Sequence, residues 1–306
     1  MIVPTRRAVL LGGLGVAAAL AAGCAGAPPA AAPPSPAPAP SPAPAPDPGP
    51  ALAELERRQG RRIALVALDT GSGRAVRHRA DERVLMCSTA KVLIVAAVLR
   101  RRLAEPGLLE RTIRYTRADL LEYAPATTPR VDGGMTVAAL CEAAIVVSDN
   151  TAANLLTGLL GGPAATTAFV RTLGDGVTRL DRPEPALNET APGDERDTST
   201  AAAMAADLQA LVLGAALDPE GRDLLTGWMV GATTGTQQIR AGLPVGWRVG
   251  DKTGSGAQGE NHDVAVAWPP GRAPLVLAVF TTPADPESTN GRATVAEATR
   301  IVAGAL

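Results

Sequence analysis

The chain has 306 residues; 46% of them are hydrophobic, only 2% are aromatic, and the formal net charge is −1. This length suffices for one large domain or for two lobes that share a core. No basic stripe stands out, so we expect no nucleic-acid partner. The 2 histidines and 3 cysteines are too few and too scattered for metal-ligand spacing, and we expect neither a metal nor a cofactor.

The first 24 residues have the features of an export signal. Arg6 and Arg7 precede an apolar run over 8–22, which indicates the twin-arginine route and is short for a membrane-spanning helix. The run ends in small residues before Cys24, a pattern typical of lipoprotein processing. We therefore expect an exported protein. It is either tethered to a membrane of the cell envelope through a lipidated Cys24 or, if the signal is simply cleaved, secreted.

Proline and alanine dominate residues 25–50. Such a segment cannot bury a core and is expected to form an extended, semi-rigid spacer with about 3.1 Å per residue. The folded domain is therefore predicted to cover 51–306.

Hydrophobic periodicity and turn residues predict the elements of this domain. In chain order they are a helix over 52–59, strands over 62–68 and 74–79, a buried helix over 92–99, mostly helical patterns over 103–217, a helix over 218–230, strands over 247–251, 263–268 and 274–281, and a helix over 294–302. Strands at both ends predict an α/β (α+β) fold. Its antiparallel sheet is built from both chain ends, is flanked by helices, and carries an inserted all-α lobe over roughly 87–230. A cleft between the lobes is a natural ligand site.

Ser88 and Lys91 are three residues apart at the start of the buried helix, so both side chains are expected on one helix face. A serine hydroxyl is a weak nucleophile until a neighbour accepts its proton, and a buried lysine with a lowered pKa can do so. Lys91 and Lys252 are the only lysines in the chain, and arginine could not replace Lys91 as a proton acceptor. Alone, the pattern also fits a solvated helix start with a capping serine.

A second polar motif, Ser148-Asp149-Asn150, follows the apolar stretch 141–147. It is either a helix cap or a loop that aims Ser148 and Asn150 into the cleft.

A third motif, Lys252-Thr253-Gly254 with Ser255 next, lies at the end of a predicted strand. Lys252 would offer an anionic ligand a positive charge, Thr253 would offer it a hydroxyl, and Gly254 would let another backbone approach closely. The alternative is an exposed lysine on an edge strand.

The segment 182–188 holds an acid between two prolines, Pro183 and Pro185. The prolines exclude a regular strand and disfavour a helix. A stiff loop with Glu184 at its centre is well suited to hold a general base, and a solvated surface loop is the alternative.

The order of these motifs resembles that of the class A β-lactamases and penicillin-binding proteins from about residue 51 to the end. The motifs are Ser88-Thr89-Ala90-Lys91, Ser148-Asp149-Asn150, Arg182-Pro183-Glu184-Pro185-Ala186-Leu187-Asn188 and Lys252-Thr253-Gly254. The loop motif is similar to the omega loop that separates class A β-lactamases from the penicillin-binding proteins, and the stretches 119–127 and 149–156 are further matches. The resemblance implies a serine β-lactamase that confers resistance to β-lactam antibiotics, with small-molecule substrates and a monomeric state.

The resemblance also implies the catalytic roles. Ser88 would attack the β-lactam carbonyl, and the backbone N–H groups of Ser88 and Ser255 would hold the oxyanion. Ser148 would pass a proton to the departing ring nitrogen. Either Lys91 or Glu184 would take the first proton, and the Glu184-bound water would hydrolyse the acyl-enzyme.

The remaining residues would bind water or substrate. Asn188 would hold the hydrolytic water, and Asn150 would contact the acylamide side chain. Lys252 and Thr253, with Gly254 and Ser255 beside them, would bind the substrate carboxylate. Tyr123 would form an aromatic wall of the cleft. Arg182 is expected to pair with Asp197 across the base of the loop.

The family pattern is not met everywhere. Two positions at which many members carry a carboxylate-binding arginine hold Asn261 and Gln238. Arg292, near the start of the last helix, matches a third placement, and we hypothesise that it supplies the missing charge; a solvated arginine is the alternative. Cys87 faces Gly256, so the disulfide that some carbapenem-hydrolysing members form there is not expected.

Four rival interpretations use the same residues differently. A DD-peptidase or penicillin-binding sensor would share the scaffold but lack the Glu184 and Asn188 pair. A cysteine nucleophile would use Cys87, although Cys87 and Cys141 are expected to be buried free thiols. A Ser-His-Asp hydrolase would need one of the two histidines, and a structural lipoprotein of the cell envelope would need only the tether.

Overall fold

The computed structural model describes residues 47–189, 191 and 193–306. The predicted export signal, the lipidation site at Cys24 and the spacer up to residue 46 lie outside the described residues. Their boundaries stay predictions.

A five-stranded antiparallel sheet joins the two ends of the chain. The strands of the described residues are β1 Arg61–Asp69, β2 Ala75–His78, β3 Arg83–Leu85, β4 Thr112–Ile113, β5 Met135–Thr136, β6 Thr198–Thr200, β7 Arg248–Ser255, β8 Asn261–Trp268 and β9 Leu275–Pro283. The sheet order is β2-β1-β9-β8-β7. β3 pairs with β6, and β4 with β5, in separate two-stranded ladders.

Most helices come from the middle of the chain. Within the described residues they are α1 Gly49–Gln59, α2 Lys91–Arg101, α3 Val137–Val146, α4 Asn150–Leu160, α5 Pro163–Thr172, α6 Ala201–Leu208, α7 Pro219–Val230, α8 Ile239–Gly242 and α9 Gly291–Ala303. A π-helical turn, Gln209–Leu213, continues α6. None of the helices in the described part of the chain is both long and apolar enough to cross a membrane.

The central strands are buried on both faces. Because side chains alternate along a strand, Ile63 and Leu65 of β1 face one side and pack with α1, α8 and α9. Ala64 and Val66 face the other side and belong to the core that contains the helices α2, α3, α4, α6 and α7. The sheet is therefore a wall between terminal helices and helices from the middle of the chain.

The predicted α/β class, with a sheet built from both chain ends, is confirmed. Most boundaries differ from the prediction by one to four residues, and the reason is visible at two of them. α1 begins at Gly49 rather than at 52, because the proline at its second position occupies the first turn, where its missing N–H has no helical partner to lose. β7 continues to Ser255 rather than ending at 251, because its ladder with β8 runs on to the Ser255–Asn261 pair.

Candidate active site

Ser88 lies on a 3₁₀ turn, Cys87–Ala90, directly before α2, and not on the α-helix itself as the sequence predicted. Cys87 before it has a φ of +49°, a backbone conformation that side-chain-bearing residues seldom adopt. β7 packs closely on this turn, since a Cβ added to Gly254 would lie 3.0 Å from the Met86 carbonyl oxygen. The predicted close approach at Gly254 is thus confirmed, and Ser88 lines the cleft.

Lys91 is fully buried beneath the cleft. Its Nζ donates to the Ser148 carbonyl oxygen at 2.8 Å and to Asn150 Oδ1 at 2.6 Å, and it lies 3.1 Å from Glu184 Oε1. Burial lowers the pKa of Lys91, and the negative charge of Glu184 offsets part of that effect. A lowered pKa is what the sequence analysis expected for Lys91 as a possible proton acceptor.

Ser148 bridges the two lysines. Its Oγ accepts from Lys91 Nζ at 3.3 Å and from Lys252 Nζ at 3.0 Å. Burial lowers the pKa of Lys252 to about 7, and repulsion from Lys91 adds to the effect. Asp149 caps α4 by accepting from the Ala152 N–H at 2.8 Å. Both interpretations of the motif therefore hold: one residue caps the helix, and its neighbour faces the site.

Glu184 is 3% exposed and lies at the floor of the cleft. Its Oε1 accepts from Ser88 Oγ at 3.3 Å, and its Oε2 accepts from Asn188 Nδ2 at 2.5 Å. The Asn154 side chain holds the backbone of this acid, donating to the Glu184 carbonyl at 2.8 Å and accepting from its N–H at 2.9 Å. These two hydrogen bonds hold the loop at Glu184, as expected for the predicted stiff loop.

The base of this loop is closed by the predicted pair of Arg182 and Asp197. Arg182 Nε donates to Asp197 Oδ2 at 2.6 Å. Asp197 Oδ1 accepts from the backbone N–H groups of Asp181 at 2.8 Å and Arg182 at 3.0 Å. One buried carboxylate therefore joins the two chain segments between which the loop extends.

A cleft of about 270 Å³ opens over these groups. The residues that line it are Ser88, Tyr123, Ser148, Asn150, Asn188, Thr234, Gln238, Thr253, Gly254, Ser255 and Arg292. Lys91, Glu184 and Lys252 lie just below that surface and reach it through Ser88 and Ser148. All predicted site residues are thus brought together.

Arg292 is exposed, and its Nη1 lies 3.5 Å from Gln237 Oε1 at the edge of the cleft. Asn261 turns elsewhere and donates to the Gly259 carbonyl at 3.0 Å.

Sequence reasoning assigned no role to three residues of the site. Thr234 Oγ1 lies 2.7 Å from Thr253 Oγ1, and Asn154 holds the Glu184 backbone. Gln238 was considered only as the place of an absent arginine, yet it lines the cleft. Asn154 lay within the matched stretch 149–156, which was a usable signal. Thr234 follows α7 in a Gly- and Thr-rich turn with no fixed spacing to Thr253.

The rival catalytic groups are in the wrong places. Cys87 and Cys141 are both free and buried, as expected. Burial raises the pKa of the Cys87 thiol, which disfavours the thiolate that a nucleophile needs. His262 is fully buried with its pKa lowered to about 3, and His78 lies 3.4 Å from Glu56. In the described residues, no group of three or more His, Cys, Asp or Glu side chains is arranged to hold a metal ion.

A serine flanked by a buried lysine and a fixed carboxylate, in a cleft with a buried cation at its far end, defines a serine hydrolase that works through an acyl-enzyme. The model of the β-lactamase enzyme family matches residues 49–306. The chain belongs to that family, and its relatives place it in class A.

Several relatives are similar over most of their length. β-Lactamase AST-1 of Nocardia asteroides is 56% identical over 254 residues, which cover 83% of this chain and 82% of the relative. β-Lactamase CTX-M-25 of Escherichia coli is 48% identical over 251 residues, covering 82% and 86%. Among solved structures, a class A β-lactamase from Mycobacterium abscessus is 57% identical with a TM-score of 0.82, covering 84% of this chain and 98% of that one.

Proposed function

We propose that the protein hydrolyses β-lactam antibiotics through an acyl-enzyme on Ser88 and so confers resistance to them. The observation that carries the proposal is the position of the Glu184 carboxylate, 3.3 Å from the Ser88 hydroxyl and 2.5 Å from the Asn188 amide. A carboxylate there can activate a water molecule against the ester carbon. That step separates a hydrolase that turns over from a protein that stops at the acyl stage.

Glu184 is the group that takes the first proton. Ser88 Oγ donates to Glu184 Oε1, whereas Lys91 Nζ has acceptors in Ser148, Asn150 and Glu184. An amine among acceptors is stabilised as the donor, despite the burial that lowers its pKa. Lys91 therefore holds Glu184 and Ser148 in place while the Ser88 oxygen bonds to the carbonyl carbon.

The breaking C–N bond needs a proton on the ring nitrogen. Ser148 supplies it, and Lys91, whose Nζ lies 3.3 Å from the Ser148 hydroxyl, restores the lost proton. Glu184, 3.1 Å from Lys91, then returns the Ser88 proton to that amine and is ionised again for deacylation. The negative charge that develops on the carbonyl oxygen is met by the backbone N–H groups of Ser88 and Ser255. A donor of this kind is typically worth about 10²–10³ in rate.

The substrate carboxylate binds at the end of β7. Thr253, backed by Thr234 at 2.7 Å, offers a hydroxyl, and Lys252 lies beneath it. Arg292 at the cleft edge supplies the second positive charge, which is the role hypothesised for it from the sequence. Asn150 and Tyr123 line the opposite wall, where the acylamide side chain is bound.

The test is the fate of the acyl-enzyme in a Glu184→Ala variant. The base contributes about 10²–10⁴ in rate to each step that it serves, so we expect intact-mass spectrometry after prolonged incubation with benzylpenicillin to find an adduct on Ser88 that forms slowly and then persists. The matched control is Glu189→Ala, an exposed acid on the same loop, which should clear the adduct like the parent protein.

Two results would contradict the proposal. If Glu184→Ala clears the adduct as fast as the parent protein, the carboxylate is not the base. If the parent itself retains a stoichiometric adduct and gives a single burst with a chromogenic cephalosporin, the protein is the alternative, a DD-peptidase or penicillin-binding sensor.

The proposal extends to the place of action. The twin arginines and the small residues before Cys24 support export, with the protein either lipid-anchored in the cell envelope or secreted. The proline- and alanine-rich spacer is suited to a tether. We also propose that the protein acts as a monomer, since the cleft is lined without a contribution from a second chain and one copy would suffice for catalysis.

A further inference from the structure

Two aspartates form a buried acid pair beside the Glu184 loop. Asp175 lies in the turn after α5, and Asp207 lies on α6; they are 8% and 2% exposed. Both line the same cavity, and a hydrogen bond between their carboxyl groups contributes to the pKa shift of each. Neither Oδ2 has another hydrogen-bond partner among the described residues, so a proton between the two groups is what satisfies them.

The surroundings assign that proton to Asp207. Burial, and then the charge of Asp175, raise the pKa of Asp207 to about 8. Burial also acts to raise the pKa of Asp175, but hydrogen bonds from Thr178 and Val177 outweigh it and leave that pKa below its ordinary value. At neutral pH the pair is therefore one carboxylic acid and one carboxylate.

Two further charged side chains face the pair. Arg171 of α5 attracts the Asp207 charge and donates to the Asp175 carbonyl oxygen at 2.6 Å. Asp81, in the turn after β2, lines the same cavity but is 82% exposed and is paired with Arg77 at 2.9 Å. Among the described residues, Arg171 is the cation that would offset a second buried negative charge at the pair.

The acid pair lies at the neck of the Glu184 loop, which we define as residues 178–182 and 197–200. Thr178 Oγ1 and Ser199 Oγ are 2.6 Å apart, and the Arg179 N–H donates to the Thr198 carbonyl at 3.0 Å. The turn that holds Asp175 enters this neck, and α6, which holds Asp207, begins where the neck ends. The pair therefore joins the two segments from which the loop extends.

We propose that Asp207 is a positioning residue for Glu184: its carboxylic acid, hydrogen-bonded to the Asp175 carboxylate, keeps the neck of the loop closed. Ionisation replaces that hydrogen bond by repulsion between two buried carboxylates, so the loop loosens and the carboxylate of Glu184 leaves its place beside Ser88. The effect on the reaction rests on the proposed function, whereas the effect on stability does not.

The pH dependence follows from the direction of the shift. The native state binds the Asp207 proton more tightly than the unfolded chain does, so stability falls as pH rises from the unfolded pKa toward about 8. One pH unit above that value, about ten molecules in eleven carry the second charge. Deacylation should then proceed at about a tenth of its neutral rate.

The experiment compares the full chain with Asp207→Asn, whose amide donates the same hydrogen bond at every pH, and with Asp81→Asn as the control in the same cavity. Between pH 6 and 8, the Tm of the parent and of Asp81→Asn should fall by about 3–5 °C per pH unit relative to the Tm of Asp207→Asn. Acyl-enzyme lifetime with benzylpenicillin should lengthen about tenfold in the parent between pH 7 and 9, and should stay constant in Asp207→Asn.

If Tm depends on pH in the same way in the parent and in Asp207→Asn, the two aspartates do not share a proton. Divergent unfolding profiles with identical lifetimes would overturn the positioning role. Absence of any acyl-enzyme in the parent would refute the proposed function instead, and the unfolding arm would still decide whether the proton is shared.

Discussion

The pair of Arg182 and Asp197 at the base of the Glu184 loop gives the sharpest test of how the loop is held. Asp197 is 1% exposed and accepts three hydrogen bonds, two from backbone N–H groups and one from Arg182 Nε at 2.6 Å. Asp197→Asn keeps an oxygen for the backbone donors but removes the negative charge. Asp197→Ala removes both oxygens and so all three hydrogen bonds.

The expected cost of each change follows from those contacts. A hydrogen bond to a charged group contributes about 1.5–3 kcal/mol, and the loss of the ion pair of the partly buried Arg182 guanidinium adds to the cost. We therefore expect Asp197→Asn to lower the free energy of unfolding by about 2–4 kcal/mol. Asp197→Ala should cost about 2 kcal/mol more, because the N–H groups of Asp181 and Arg182 lose their acceptor.

The assay is thermal unfolding together with acyl-enzyme lifetime. At about 2–4 °C per kcal/mol, Asp197→Asn should lower Tm by about 4–16 °C, and Asp197→Ala by more. Both variants should also prolong the acyl-enzyme, because the loop positions Glu184. Asp194→Asn, which breaks a pair with the half-exposed Arg196 on the same loop, is the control and should leave Tm unchanged. An equal Tm for the parent and Asp197→Asn would refute this account of the loop.

Two further predictions concern substrate binding. Arg292→Ala should raise KM for benzylpenicillin about three- to tenfold with little change in kcat, because one solvent-facing charge is lost. Arg300→Ala, on the exposed side of α9, is the control. An unchanged KM in Arg292→Ala would exclude a role for Arg292 in substrate binding. Because burial lowers the pKa of Lys252 to about 7, the free enzyme loses that ammonium as pH rises, so kcat/KM should fall about tenfold per pH unit above 7. Lys252→Arg, which stays charged, should lack this fall, and a flat parent profile from pH 6 to 9 would contradict the shift.

The sequence was most informative where the chemistry depends on short spacings. Ser88 with Lys91, and Glu184 with Asn188, are each joined by local backbone, so their intervals could be matched to a family pattern, although each motif alone left a structural alternative open. The sheet followed from strand patterns at both ends of the chain with helical patterns between them, and the structure confirms one sheet built from both ends.

What could not be predicted depends on contacts between distant segments. Thr234 meets Thr253, and Asn154 meets Glu184, through tertiary packing that leaves no interval to read in the chain. The 3₁₀ turn at Ser88 has the same origin. Helical spacing predicted an α-helix there, but β7 packs against this turn, and Cys87 takes a positive φ.

The pairing of β1 with β9 has a consequence for biosynthesis. β1 is among the first folded segments to leave the ribosome, but its central neighbour spans Leu275–Pro283, close to the carboxyl end of the chain. Until β8 and β9 have been synthesised, one edge of β1 has no partner, and β7 has no inner strands against which to hold Ser255 beside the nucleophile. A chain that lacks β8 and β9 therefore has no support for the strand that carries Lys252 and Ser255.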